Sequence, residues 1–325
     1  MNNKEIDQGI LDRIKKLEAK YEAMGQDMAS YLDGLLHADY LKYWEYINLE
    51  SLLALQHPKT HFPDEMIFIV YHQSTELYFK LILWEMKQMQ SAEHPNVEFF
   101  TARVKRINNY FEHLCHSFSI MIQGMEKEQF LQFRMSLLPA SGFQSAQYRM
   151  IEIGSTDMIN LVNHEKRDDF DPYASIEELY DAIYWMTGAT ELKTGKKTLT
   201  LDQFDAKYSK EFIHLANEVK STNLNQLYIR FYKELEGTEE LIAELKRYDL
   251  LANVDWPLVH YKSAVRYLQR SPEDIKATGG TNWQKYLPPR FQKVMFFPEL
   301  WTEEEQNEWG KHWVDQNVFG MGQNI

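Results

Sequence analysis

The sequence predicts an all-α protein, a helical bundle-type single domain led by a long N-terminal helix. Three observations carry that expectation. Apolar residues recur at three- and four-residue intervals along most of the chain. Glycine (14) and proline (10) are too scarce for a turn-rich all-β sandwich or barrel. Hydrophobic residues at 44% and charged residues at 26% exclude wholesale disorder. At 325 residues the chain is near the size where one core stops growing, and aromatics at 14% suit a large core or an aromatic-lined pocket.

The elements follow in order. Ile10, Ile14, Leu17, Tyr21, Met24, Met28, Tyr31 and Leu35 form a heptad-like seam, which predicts one long helix with Gly25 inside it. So narrow a seam wants a partner helix, from its own domain or from a second subunit. Residues 39–50 crowd four aromatics together. Pro63-Asp64-Glu65 then marks a helix start, because proline tolerates the free N–H position and acids complement the dipole. The helix that follows, MIFIVYHQSTELYFKLILWEMKQM, is apolar nearly all round and is expected deep in the core. Residues 97–123 predict an amphipathic helix, and 126–137 a shorter one. ASGFQSAQYRMIEI breaks the periodicity at Ser-Gly and then resumes it. Residues 164–200 are the most polar stretch and predict surface loops around one short helix, within an insertion spanning about 160–250. Helical patterns return at 202–220, 223–247 and 255–270, ahead of KATGGTN, a helix ending in KVMFFPELW, and an acidic tail.

Charge and cysteine content exclude several classes. With 35 Lys+Arg against 48 Asp+Glu, the net charge of −13 has the wrong sign for nucleic acid and for an anionic membrane surface. The one cysteine, Cys115, rules out an intramolecular disulfide and any Cys-rich metal site. MNNKEID has no signal pattern, and no apolar run approaches the roughly 20 residues that span a bilayer, so a cytoplasmic location is expected. The motifs of zinc proteases, serine hydrolases, P-loop and dinucleotide enzymes are missing. A c-type haem is excluded because Glu112 stands where the first cysteine of CxxCH belongs. A di-iron bundle needs two Glu-x-x-His units, and only Glu211–His214 fits.

The residues that could carry chemistry each have a plainer alternative. His72 shares a helix face with Phe68 and reads either as a hydrogen-bonded core histidine or as a site residue. His260, among Leu258, Val259 and Val265, reads as packed core or as an axial ligand. Phe130 and Arg134 share a face, pairing an aromatic wall with a fork suited to a carboxylate; a structural ion pair is the alternative. Thr278-Gly279-Gly280-Thr281 is a turn bearing two hydroxyls, without the strand–turn–helix setting of a phosphate loop.

HFPDEMIFIVYHQSTELYFKLILWE, FRMSLLPASGFQSAQYRMIE, KATGGT and FFPELW occur in this order, and together they closely resemble the tryptophan 2,3-dioxygenase family. The resemblance covers most of 39–154 and 255–301, and SGFQSxQYR is its most specific block. It implies a helical fold enclosing a pocket for non-covalently bound haem b, in a catalytic domain over 39–325. It also implies the family's reaction, insertion of both atoms of O2 across the indole C2–C3 bond of L-tryptophan to give N-formyl-L-kynurenine. Carried over position by position, His260 matches the proximal ligand of the haem iron, and His72 the distal histidine that bonds the indole N–H. Phe68 and Phe130 match pocket walls, Arg134 the carboxylate clamp, and Thr278 the head-group threonine. Tyr43 and Tyr46 match tyrosines that reach into a neighbouring subunit's site, which makes 1–38 an intersubunit helix of a homotetramer, a dimer of dimers.

Departures from the family pattern sit around His260. Trp256-Pro257-Leu258-Val259 replaces an arginine-rich approach, the stretch near Ser271-Pro272-Glu273-Asp274 is longer, and Thr278-Gly279-Gly280-Thr281-Asn282-Trp283 replaces GTGGSSG. Two other readings compete. One is a superfamily haem enzyme oxygenating another aromatic amino acid, such as a tyrosine hydroxylase; some of these carry a cysteine after the proximal histidine, where Tyr261-Lys262-Ser263-Ala264 stands here. The other is a non-catalytic helical assembly scaffold.

Overall fold

Alternation between long apolar-faced helices and short polar turns governs the backbone. The structure, a computed structural model, describes residues 7–37, 42–134, 142–188, 196–267 and 289–310. Among these residues there is no β-strand, so the all-α expectation holds. The chain divides into two compact units, residues 1–57 and 58–325.

In the first unit the expected single helix is two. Helix α1 (Gln8–Ala23) starts on the Asp7 carboxylate, which accepts from the Ile10 amide. It stops at Gly25, whose φ of +66° favours glycine and turns the chain. Helix α2 (Met28–Leu36) begins on Asp27, which accepts from the Ala29 and Ser30 amides and the Ser30 hydroxyl. These bonds, the Ser30 hydroxyl first, hold the Asp27 carboxyl below its ordinary range. The Tyr21 and Tyr31 rings meet across the turn at 4.5 Å. The periodicity therefore survives a break that one glycine imposes, and Ile10, Leu17, Met24, Tyr31 and Leu35 remain exposed. Two short helices follow, α3 (Tyr43–Tyr46) and α4 (Leu49–Leu53), joined at Asn48 in the left-handed region.

The second unit is built on α5 (Asp64–Gln90) and α6 (Val97–Ser117), joined by a short connection. The start of α5 is held on both sides. Asp64 accepts from the Glu126 amide, and Glu65 accepts from Lys59 N, Thr60 N and the Thr60 hydroxyl. Burial works to raise the Glu65 carboxyl, yet these bonds outweigh it and leave the group lowered. Phe100, Val104, Ile107, Phe111 and Leu114 form one buried stripe on α6 and meet Phe79, Ile82, Met86 and Met89 of α5. Only one face of α5 is buried, however. Met66, Val70, Leu77, Leu81 and Trp84 make an exposed apolar stripe along the other.

The 97–123 pattern also divides, at Phe118, into α6 and α7 (Ser119–Gln123), before α8 (Lys127–Arg134). Beyond the Ser-Gly break come α9 (Ala146–Ser155) and α10 (Met158–Leu161). The 164–200 stretch departs from the surface-loop expectation. It folds α11 (Ile176–Asp181) and α12 (Tyr184–Gly188), and Ile176, Tyr180, Ile183 and Trp185 are buried against Phe204 and Phe212 of α13 (Leu199–Glu218). Its polar letters lie at the ends and edges of a segment whose middle is core. The 223–247 pattern is α14 (Leu224–Phe231) and α15 (Glu239–Leu250), separated where Gly237 takes a φ of +78°. A π-helical turn, Leu251–Asp255, leads from α15 into α16 (Trp256–Tyr267). Of the helix expected to lead into KVMFFPELW, the described residues hold four, Pro289–Gln292; the segment itself is a strap in which Val294 to Phe297 are buried, closed by a 3-10 turn at Pro298–Leu300.

One buried ion pair lies within α9 and is tied to α12 through Tyr184. Arg149 Nη1 lies 3.0 Å from Glu152, and Tyr184 donates to the other Glu152 oxygen. The guanidinium also lies over the Tyr148 ring at 4.7 Å. Burial pushes the Glu152 carboxyl up to about 7, with Arg149 and Tyr184 opposing it. Removing one partner strands the other in the core. Arg149→Leu should therefore cost roughly 3–5 kcal/mol of stability in a denaturant titration, and adding Glu152→Leu should recover much of that loss.

Candidate functional site

Five of the expected site residues lie on α5, α8 and α16, helices of the second unit. On α5, one helical turn separates Phe68 from His72, so both project from one side. Their rings lie 4.0 Å apart, and His72 Nδ1 is 2.7 Å from the Phe68 carbonyl. A carbonyl only accepts, so Nδ1 carries the proton and Nε2 keeps its lone pair. The His72 ring retains accessible surface, yet burial lowers its basicity, against the upward pull of the Phe68 carbonyl and Glu76. Gln147 of the SGFQSAQYR block donates to both the backbone and carboxylate of Glu76, locking α9 to α5 one turn beyond His72.

Helix α8 supplies the next wall. Phe130 is buried and packs at 6.4 Å from Phe68, with Phe133 between them at 5.7 Å from Phe68 and 5.6 Å from Phe130. The Arg134 guanidinium lies 5.5 Å from the Phe130 ring centre. Burial lowers its pKa, and no carboxylate among the described residues pairs with it. A half-buried guanidinium with that surrounding is suited to a ligand's anion.

His260 stands on α16 in an aromatic cage. The Trp256 ring meets it edge-on at 4.3 Å and the Phe118 ring at 4.4 Å. Its Nδ1 lies 2.9 Å from the Trp256 carbonyl, again leaving Nε2 with the lone pair. Burial above all, with lesser contributions from the charges of His72 and Arg149, brings its pKa down to about 4, against the Trp256 carbonyl's pull upward. The imidazole is neutral at physiological pH, the form that binds a metal. Tyr267 closes the circuit between the helices: its ring lies 4.4 Å from Phe130, and its hydroxyl donates to the Met121 carbonyl at 2.7 Å.

Phe68, His72, Phe130 and Arg134 are thus brought together, with His260 linked to them through Tyr71 and Phe118, whose rings are 5.7 Å apart. Tyr43 and Tyr46 belong to α3 of the first unit and are 71% and 74% exposed. Thr278 lies outside the described residues. A hollow of about 390 Å³ is lined by Met66, Val70, Tyr71, Leu114 and Ile120, among others, and by none of the expected site residues. Sequence reasoning missed Phe118, Trp256 and Tyr267. Trp256, at i−4 from His260, and Tyr267, at i+7, share its helix face and could have been found from periodicity; Phe118 arrives from another helix and leaves no local signal.

Comparisons with known proteins bear on the family of the chain. The family model described as tryptophan 2,3-dioxygenase matches residues 33–182. Tryptophan 2,3-dioxygenase from Ruegeria sp. (strain TM1040) is 32% identical over 277 residues, 82% of this chain and 92% of that protein. The protein of the same name from Ruegeria pomeroyi is 28% identical over 272 residues, and that from Bacillus thuringiensis subsp. konkukian 27% over 283, each across 82% of this chain.

Both imidazoles should be recorded by heteronuclear NMR as Nδ1–H tautomers at neutral pH. In the ligand-free protein His260 should titrate near pH 4, and His72 below the ordinary histidine value.

Proposed function

Because the chain belongs to the tryptophan 2,3-dioxygenase family, we propose that it is a haem-dependent dioxygenase that converts L-tryptophan and O2 to N-formyl-L-kynurenine. The observation that carries this reading is the pair of neutral imidazoles, His72 and His260, each with Nδ1 occupied by its own helix and Nε2 without a hydrogen-bond partner among the described residues.

The residues present fit a haem. A porphyrin supplies four nitrogens and asks the protein for one neutral imidazole with aromatic surroundings, which is what His260, Trp256 and Phe118 offer. Haem b would be held by His260 Nε2 without covalent attachment, and it would supply the ferrous iron that makes dioxygen reactive toward an aromatic ring. The chain's own residues do the rest. Arg134 takes the substrate carboxylate in a charge-assisted, two-pronged contact, and Thr278 takes the amino-acid head group. Phe68 and Phe130 bury the indole, while the His72 Nε2 lone pair accepts the indole N–H. An indole N–H left unmatched in a dry pocket costs about 1–3 kcal/mol, so His72 selects the ring's orientation by penalty as well as attraction.

The assembly belongs to the same proposal: a homotetramer, a dimer of dimers, in which Tyr43 and Tyr46 complete a neighbour's site. The exposure of both tyrosines and of the apolar seam on α1 and α2 supports it. Among the described residues no helix is long and apolar enough to cross a membrane. The need for ferrous iron favours the reducing cytoplasm as the place of action.

Haem-replete protein should show a Soret band that His260→Ala removes, and under reducing conditions it should convert tryptophan to a product with N-formylkynurenine absorbance. A colourless protein, or turnover of tyrosine and not tryptophan, would overturn the reading. Arg134→Leu should raise KM for tryptophan roughly 10- to 100-fold with haem retained, the loss expected for a charge-assisted pair. Deleting residues 1–38 should dissociate the tetramer, read by light scattering.

A further inference from the structure

Asp249 is a buried carboxylate near the end of α15, ahead of the turn that leads to His260, and its bonding positions are filled by N–H groups. Oδ1 accepts from Asn253 Nδ2 at 2.7 Å and from Phe296 N at 2.8 Å; Oδ2 accepts from Phe297 N at 3.2 Å and from Trp301 Nε1 at 2.9 Å. No cation among the described residues pairs with it. Its four donors come from two places, Asn253 in the π-turn and the remaining three in the strap over 293–301.

The location of that turn gives the latch its consequence. Helices α15 and α16 run on from one another through Leu251–Asp255. A π-turn inserts one residue into the α-helical count, which rotates everything beyond it by about 100°. The face on which His260 emerges is therefore set by whether this wide turn persists. Asp249 grips the turn through Asn253, and the Tyr148 hydroxyl takes the Ala252 carbonyl at 2.7 Å. Met295 of the strap held by the same carboxylate packs, together with Trp309, onto Val254 of the turn and Leu258 of α16, ahead of His260. Arg167 fixes the strap's other end by donating to the Lys293 carbonyl at 3.1 Å.

We propose that Asp249 is a positioning residue for His260, holding the π-turn and the strap together so that α16 presents its imidazole toward the haem. This rests on the reading of His260 as the iron ligand. Asp249 is bonded by protein N–H groups, and its effect runs through the rotation of a helix. A buried anion bonded only by neutral donors is a costly way to fill a core site, so packing alone is a poor explanation for it.

The test uses haem-loaded protein. Asp249→Asn keeps the side chain's size but turns one acceptor into a donor that faces other donors. It should speed haem loss to excess apomyoglobin by roughly tenfold, as disrupted supporting shells do. It should also shift or broaden the iron–histidine stretching band of the ferrous protein in resonance Raman spectra, with far-UV circular dichroism retained. Trp301→Phe removes a single donor and should move both readouts the same way by less. If Asp249→Asn only lowers Tm, with haem loss and the Raman band unchanged, the residue is merely structural and the proposal is overturned. If that variant does not fold, an unmoved band in Trp301→Phe overturns it equally. His260→Ala separates the two layers: a native iron–histidine band in that variant would sink the ligand assignment itself, and this proposal with it.

Discussion

The site depends on one small interaction made twice: a histidine Nδ1–H donated to the carbonyl one helical turn before it. His72 makes it to Phe68 and His260 to Trp256. The bond fixes the tautomer, the ring plane and the direction of Nε2 together, and needs no partner from outside the helix. Burial then removes the competing state by keeping both rings neutral. The rest of the second unit aims the two nitrogens: α5 is anchored at its start by Asp64 and Glu65, α16 at its end by the Tyr267 hydroxyl.

Charge is distributed in keeping with that arrangement. The interior holds several ionic groups, but they are spent on architecture. Arg149 and Glu152 neutralise each other, Arg167 is consumed by three carbonyls, and Asp249 by N–H donors. Burial drives the Arg167 pKa down to about 10 and the Asp249 carboxyl up to about 6, the response of charges held by neutral dipoles. Arg134, like Arg149, has an aromatic face beside it, but it differs in having no carboxylate partner among the described residues. A cation left in that condition discriminates for anions, because any neutral ligand group would leave it unsatisfied.

Much of this was legible in the sequence because its signals are local. Helix starts such as Pro63-Asp64-Glu65, and face-sharing pairs such as Phe68–His72 and Phe130–Arg134, depend on spacing alone. What escaped was set by tertiary contact or by backbone exceptions. Gly25 could be seen as costly inside a helix, but that it ends one depends on its positive φ. The core role of 176–186 was masked by polar neighbours at its edges. A π-turn has no composition of its own, so the rotation it imposes on His260 could not be read from periodicity, which assumes an unbroken helix.

The exposed stripe on α5 has a further implication. His72 and Phe68 sit on the same rigid rod as Met66, Val70, Leu77, Leu81 and Trp84, whose hydrocarbon faces outward. Anyone making the protein more tractable by swapping those five for polar residues would be working on the helix that carries Phe68 and His72 and, at Met66 and Val70, on the lining of the hollow itself. Solubility and chemistry are thereby soldered into one helix, and a change aimed at either will register in both.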